Sequence, residues 1–184
     1  MAIRLLLVAH GATSGTRAMI FGDRTNLVAP ADVSDRPERM ASLGCGPEPA
    51  CAATVGAWGD DFEMLPALRG LDAGCWSGRS LDEVAAADPE GLQAWLTDAT
   101  AAPHGGESLA ALVQRVGDYC DGRRWEPGRH VLVVTPLVAR AMAVHALGVP
   151  PAAIFRLDLA PLSAIGLSQQ TSGWRLQHLG RLSR

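Results

Sequence analysis

Ile3-Arg4-Leu5-Leu6-Leu7-Val8-Ala9-His10-Gly11 is an almost unbroken apolar run that ends in a histidine and a glycine. Strands buried on both faces read as continuous apolar runs, so residues 3–9 are expected to form an interior parallel strand. Open α/β sheets bind their ligands at the carboxyl ends of the strands. This strand would therefore deliver one imidazole, His10, to that edge.

Outward from this strand, a helix is expected from about Thr13 to Phe21. Residues 22–44 carry Gly, Pro, Asp and Ser without a period and are expected to form a long loop. Pro47-Glu48-Pro49 opens a helix to about Trp58, because proline suits a first helical turn. Phe62–Leu65 suits a short strand. Ser80-Leu81-Asp82-Glu83 has capping-box spacing. Asp88-Pro89 reads as an N-cap followed by proline at the first helical position. Leu109, Leu112, Val113, Val116 and Cys120 fall on one helical face over residues 108–121. Val131–Thr135 is a β-branched, buried strand. Leu137–Leu147 is a helix closed by Gly148. Leu157–Leu167 and Trp174–Leu179 read as late strands. Strands alternating with helices define an α/β layered domain, and 184 residues fit one domain, 1–184.

Composition excludes several function classes. The chain is 48% hydrophobic and 19% charged with a net charge of −3, which gives no electrostatic case for nucleic acid or an anionic membrane. It contains no lysine, so Schiff-base and P-loop lysine chemistry are excluded. Cys45, Cys51, Cys75 and Cys120 form no CxxC pair and are expected to be reduced thiols of a cytoplasmic protein. No apolar run approaches the roughly 20 residues of a membrane span, and the start is too short for a signal peptide. His130, His145 and His178 lack zinc-ligand spacing and HExxH is absent, so no metal or cofactor is expected.

Six segments in order resemble the histidine phosphatase (phosphoglycerate mutase-like) superfamily. Ala9-His10-Gly11 is similar to the opening motif RHG, with alanine for arginine. Gly46-Pro47-Glu48-Pro49-Ala50-Cys51-Ala52-Ala53-Thr54 is similar to the helix opening that carries a second phosphate-binding arginine, which falls on Ala50. Leu71–Gly78 resembles the acidic-Gly-x-Trp-x-Gly segment, and Pro103–Ser108 the segment holding the family's acid, at Glu107. Val131–Arg140 resembles VTHxxxxRA, with Thr135 at the histidine. Leu159–Ser163 resembles the closing strand pair. The resemblance implies an α/β three-layer sandwich with a mostly parallel central sheet flanked by helices.

The resemblance also implies roles. His10 would be the nucleophile and Glu107 the acid. Phosphoryl oxygens need fixed cations, and arginine suits them through its planar fork. Ala9, Ala50 and Thr135 supply none. Removing one preorganised donor costs about 10²–10³ in rate; three that act as a unit cost on the order of 10⁴ or more. Replacement charge would come from Arg17, Arg24, His104 or Arg140, with Gly11, Thr13 and Thr135 lining the pocket and Trp76 at its entrance. Three functions stay open: a repurposed enzyme using His10 and Glu107 as base and acid, a metabolite- or partner-binding protein, and a weak phosphatase acting on a small α-ribazole phosphate-like metabolite. The expected partner is a small-molecule ligand, and a homodimer stays open.

Overall fold

The computed structural model describes residues 2–30, 39–171 and 173–181. Six strands form one sheet in the order β3-β2-β4-β1-β5-β6: β1 (Ile3–Ala9), β2 (Met40–Cys45), β3 (Glu63–Met64), β4 (Gly128–Val134), β5 (Ser163–Gln170) and β6 (Gly173–Arg181). The run from β3 to β1 is parallel, and β5 and β6 add antiparallel strands. This is the expected mostly parallel α/β sheet. Six helices accompany it: α1 (Ser14–Ala18), α2 (Pro49–Gly56), α3 (Leu81–Ala87), α4 (Pro89–Thr97), α5 (Leu109–Gly122) and α6 (Pro136–Leu147).

Strand alternation sorts the core into two layers. Leu5, Leu7 and Ala9 of β1, with Leu132, Val134, Ile165 and Leu167, face one side and pack with residues of α3 to α6. Val8, Val131, Val133 and Ala164 face the other side, against Cys51 and Val55 of α2 and Trp58. The sheet is thus sandwiched, and β1 lies between β4 and β5 with both edges bonded.

Local chemistry explains the element ends. Ser80 and Glu83 form the expected capping box at α3. Asp88 caps α4 ahead of Pro89, and Gly148 closes α6 in the left-handed region. Three expectations are corrected. The helix after His10 spans only Ser14–Ala18, because Met19 turns left-handed at φ 48 and ends it. The presumed loop 22–44 contains the start of β2, whose partner is the distant β4; residues 31–38 of that stretch lie outside the described residues. Residues Leu157–Leu162 are not strand: a 3-10 helix spans Pro151–Arg156, Pro161 lacks an N–H, and Leu162 sits at φ 58, so β5 begins at Ser163.

The 3-10 turn Gly74–Trp76 is bonded to the segment leading into α5. Cys75 N donates to His104 O at 2.9 Å and Glu107 N to Asp72 O at 2.8 Å. The approach is so close that a Cβ on Gly106 would collide with the Asp72 carbonyl oxygen, and a Cβ on Gly74 with that of His104. Backbone cannot yield as a flexible side chain can. Gly106→Ala is therefore expected to lose about 1–3 kcal/mol of stability in chemical denaturation, despite the lower chain entropy that alanine gives the unfolded state.

Candidate active site

β1 ends at Ala9, and its parallel pairing sets Ala9 beside Val134. The next residue, His10, donates its backbone N–H to Val134 O at 3.1 Å. The residue is 8% exposed, and Nδ1 lies 2.7 Å from Gly11 O. A carbonyl oxygen only accepts, so Nδ1 carries the proton and Nε2 of the neutral ring carries the lone pair. Among the described residues Nε2 has no hydrogen-bond partner. It is also absent from the buried unpartnered atoms, which are Trp58 Nε1, Trp95 Nε1 and His104 Nε2.

The turn around His10 is fixed from two sides. Gly11 N donates to Thr54 Oγ1 at 2.9 Å, and that hydroxyl donates to Ala50 O at 2.7 Å. This bond holds the first turn of α2, with buried Ala50, against the histidine turn. On the other side Thr13 caps α1 and its hydroxyl donates to Asp23. Asp23 also accepts from Thr25 N at 2.9 Å and Thr25 Oγ1 at 2.7 Å. Burial pushes the Asp23 carboxyl up, but the bonds from Thr13 and Thr25, with the nearby His10, outweigh it and hold the group below its ordinary value. Asp23 is thus a carboxylate within electrostatic reach of His10.

Glu107 is placed in an ion pair. Arg115 Nε donates to its Oε1 at 2.7 Å and NH2 to its Oε2 at 2.8 Å, and the two side chains are 17% and 10% exposed. Arg115 also donates to Ala67 O at 2.6 Å, Arg69 O at 3.1 Å and Gly70 O at 3.3 Å. Its fork is consumed in stapling the loop after β3 to α5. Gly70 in turn donates to Glu48 Oε1 at 2.6 Å and lies against Thr135. Contacts therefore run from Thr135 to Gly70, Arg115 and Glu107, and His10 is bonded through its backbone to Val134, the residue before Thr135.

The other candidates are placed differently. His104 is 2% exposed, and its Nδ1 accepts from Gly106 N at 3.0 Å, so Nε2 carries the proton and is buried without a partner. Desolvation lowers its pKa, against an opposing pull from Asp72. It supplies no positive charge. Trp76 does not stand at a pocket entrance: it is 1% exposed and packs with Phe21, Trp95 and His104. Arg140 donates to Pro136 O and Leu157 O, and burial lowers its pKa despite Asp158. Thr135 is the N-cap of α6. Arg17 and Arg24 are exposed, and no hydrogen bond or ion pair holds their side chains among the described residues.

Sequence reading missed Arg115, Asp23, Glu48 and Thr54. Arg115 lies on α5 while Glu107 precedes its N-cap Ser108, so helical periodicity did not pair them. Asp23 had no signal, being placed by a loop. The cysteines offer no nucleophile in the core: burial pushes Cys45 up to about 11 and Cys120 to about 12, and raises Cys51 further. Among the described residues no group of three or more His, Cys, Asp or Glu side chains is set to hold a metal, and no helix is long and apolar enough to cross a membrane.

The architecture and the edge histidine define a histidine phosphatase fold. The profile of the histidine phosphatase superfamily (branch 1) matches residues 49–181, and the chain belongs to that superfamily. Among solved structures it is similar to Bacillus stearothermophilus YhfR, with a TM-score of 0.86 and 17% identity over 99% of this chain and 98% of that one. It is also similar to an Escherichia coli protein assigned as an alpha-ribazole-5'-P phosphatase, with a TM-score of 0.82 and 19% identity over 100% and 98% of the two chains. A mycobacterial glucosyl-3-phosphoglycerate phosphatase gives a TM-score of 0.79 and 24% identity over 100% of both chains. At these identities the likeness shows the fold. No curated protein sequence matches the chain.

Two outcomes follow from the placement of these side chains. Arg115→Ala leaves the carboxylate of Glu107 and three carbonyls without their donor, and is expected to lose about 3 kcal/mol in denaturant titration. Arg115→Lys recovers little, because an ammonium cannot reproduce the fork. His104 has a lowered folded-state pKa, so the unfolded chain binds the extra proton. Its contribution is intact above the ordinary histidine pKa, near 6.5, and is lost as pH falls below it. Thermal melts from pH 7.5 to 5 are expected to show a steeper loss for the native protein than for His104→Gln.

Proposed function

We propose that this histidine phosphatase-fold protein acts on a small, non-phosphorylated metabolite, with His10 Nε2 as the base. The observation that carries this reading is the fixed tautomer of His10: Nδ1–H is committed to Gly11 O, leaving Nε2 as the acceptor at the sheet edge. Nε2 takes a proton from the ligand or from a water that attacks it, and Nδ1–H stabilises the imidazolium through the same carbonyl.

The charges around the site support a ligand without a phosphate dianion. Ala9, Ala50 and Thr135 stand where the family resemblance places two arginines and a histidine. Arg115 is consumed by Glu107 and loop carbonyls, and Arg140 is bonded to Pro136 O and Leu157 O. Asp23 is ionised near His10 and repels an anion. Glu107 is held by two hydrogen bonds from Arg115, and its role here is to position the loop after β3.

One observation favours a second reading. Arg17 and Arg24 are exposed on and after α1, close in sequence to Thr13 and Asp23. Swung over His10, they would supply phosphate contacts for slow phosphomonoester hydrolysis through a phosphohistidine at Nε2. A panel of phosphomonoesters assayed for phosphate release, with native protein beside His10→Ala, separates the two. The expected result is no release that depends on His10. Release lost in His10→Ala, and lowered about tenfold or more in Arg17→Ala or Arg24→Ala, would replace the first reading with the second.

A further inference from the structure

At the amino end of the sheet, away from the edge that carries His10, β2 and β4 bring a hydroxyl onto an imidazole. Their register pairs Ser42 with His130, and Ser42 Oγ lies 2.7 Å from His130 Nδ1. The other ring nitrogen, Nε2, lies 2.7 Å from Glu126 O. A carbonyl oxygen only accepts, so in the neutral ring Nε2 carries the proton and Nδ1 the lone pair. Ser42 is therefore the donor to Nδ1. A hydroxyl, a base and an acceptor that orients the base stand in line, the arrangement that activates a serine whatever its place in the sequence. We infer that Ser42 is a nucleophile with His130 as its base, and that it accepts an acyl group from a small activated carboxylic ester.

In that step an Oγ lone pair forms the bond to the acyl carbon, and the bond from that carbon to the leaving oxygen breaks. The Ser42 proton passes to Nδ1 and from there to the departing oxygen. The transient imidazolium keeps its Nε2–H on Glu126 O.

The base is fixed and the nucleophile is open. His130 is 4% exposed, and its ring packs on Trp125 with centroids 4.9 Å apart. Trp125 is itself held, donating from Nε1 to Cys120 O at 2.8 Å. Ser42, in contrast, is half-buried and follows exposed Ala41. Met40 pairs with Arg129 and Ser42 with His130, so Ala41 is the extra residue of a β-bulge and has no partner in β4. Bulges re-aim side chains and recur beside active sites. Gly128 makes room for this one, since a Cβ there would lie 2.8 Å from Ala41 Cβ. β3 pairs only with Gly44 and Cys45, so among the described residues no strand flanks the outer side of β2 at Ser42. The site shares no residue with the His10 turn and does not rest on the function proposed above.

The test is reaction with a fluorophosphonate, whose phosphorus takes the place of the ester carbon and which spares unactivated serines. Trypsin releases Met40–Arg69, in which Ser42 is the one serine. The expected result is an adduct on Ser42, formed with loss of fluoride. His130→Gln keeps an acceptor for Ser42 and a donor for Glu126 O but has no base, and is expected to label about 100-fold more slowly or worse. Native protein is expected to label faster than guanidinium-unfolded protein by a similar factor, a comparison that needs no variant. Release of p-nitrophenolate from p-nitrophenyl acetate is expected to fall in Ser42→Ala, and the chain has no lysine to be acylated instead. Absence of a Ser42 adduct, equal labelling of native protein and His130→Gln, equal labelling of native and unfolded protein, or ester cleavage unchanged in Ser42→Ala would each overturn the inference.

Discussion

The register that sets Ala9 opposite Val134 governs the whole carboxyl edge of the sheet. Side chains alternate with a period of two, so a slip of one residue would turn Leu5, Leu7 and Ala9 from one core layer into the other. It would also carry His10 away from Val134 O, its backbone partner. Both core layers oppose such a slip, since each face of β1 is buried. The position of the imidazole is therefore held by the packing of the entire domain, and the short bond to Gly11 O has only to choose its tautomer.

Against that rigid frame, the charges are arranged unusually for an anion site. Two arginines near the edge, Arg115 and Arg140, are spent on protein acceptors. Asp23 and Glu48 are carboxylates held by Thr13, Thr25 and Gly70. Each of these bonds serves the scaffold: one pins the loop after α1, another ties α2 to the loop after β3, and the Glu107–Arg115 pair ties that loop to α5. An ion pair of this kind contributes less to net stability than its Coulomb energy suggests. It fixes geometry.

Much of the fold was legible because its signals are local. The apolar run of β1, the β-branched run of β4, the capping residues Ser80 and Asp88, and Gly148 each act within a few residues. β2 was not legible, because Met40–Cys45 contains no β-branched residue and owes its conformation to hydrogen bonds from β4, far away in sequence. The break at Leu157–Leu162 was marked by Pro161, yet the apolar residues around it read as strand. At the site, the sequence placed His10, Gly11 and Thr13 in one turn. It did not anticipate that Glu107 would find Arg115, that His104 would be neutral and enclosed, or that Trp76 would belong to the core. All three depend on how the segments 72–76 and 104–107 meet, a contact made possible by Gly74 and Gly106 that no periodicity encodes.

Desolvation gives the final step. A phosphate dianion surrenders a large hydration energy on entering a protein, and only fixed cations or dipoles offset it. Around the histidine turn lie a threonine hydroxyl already bonded twice, the Asp23 carboxylate and the first turn of α2 with buried Ala50. A neutral ligand loses far less hydration and gains from apolar contact, so the same surroundings that disfavour the dianion favour it. In the proposed reading the histidine serves such a ligand as a base, which needs one free nitrogen and one anchored N–H. The anchored N–H is provided by the turn itself, through Gly11 O.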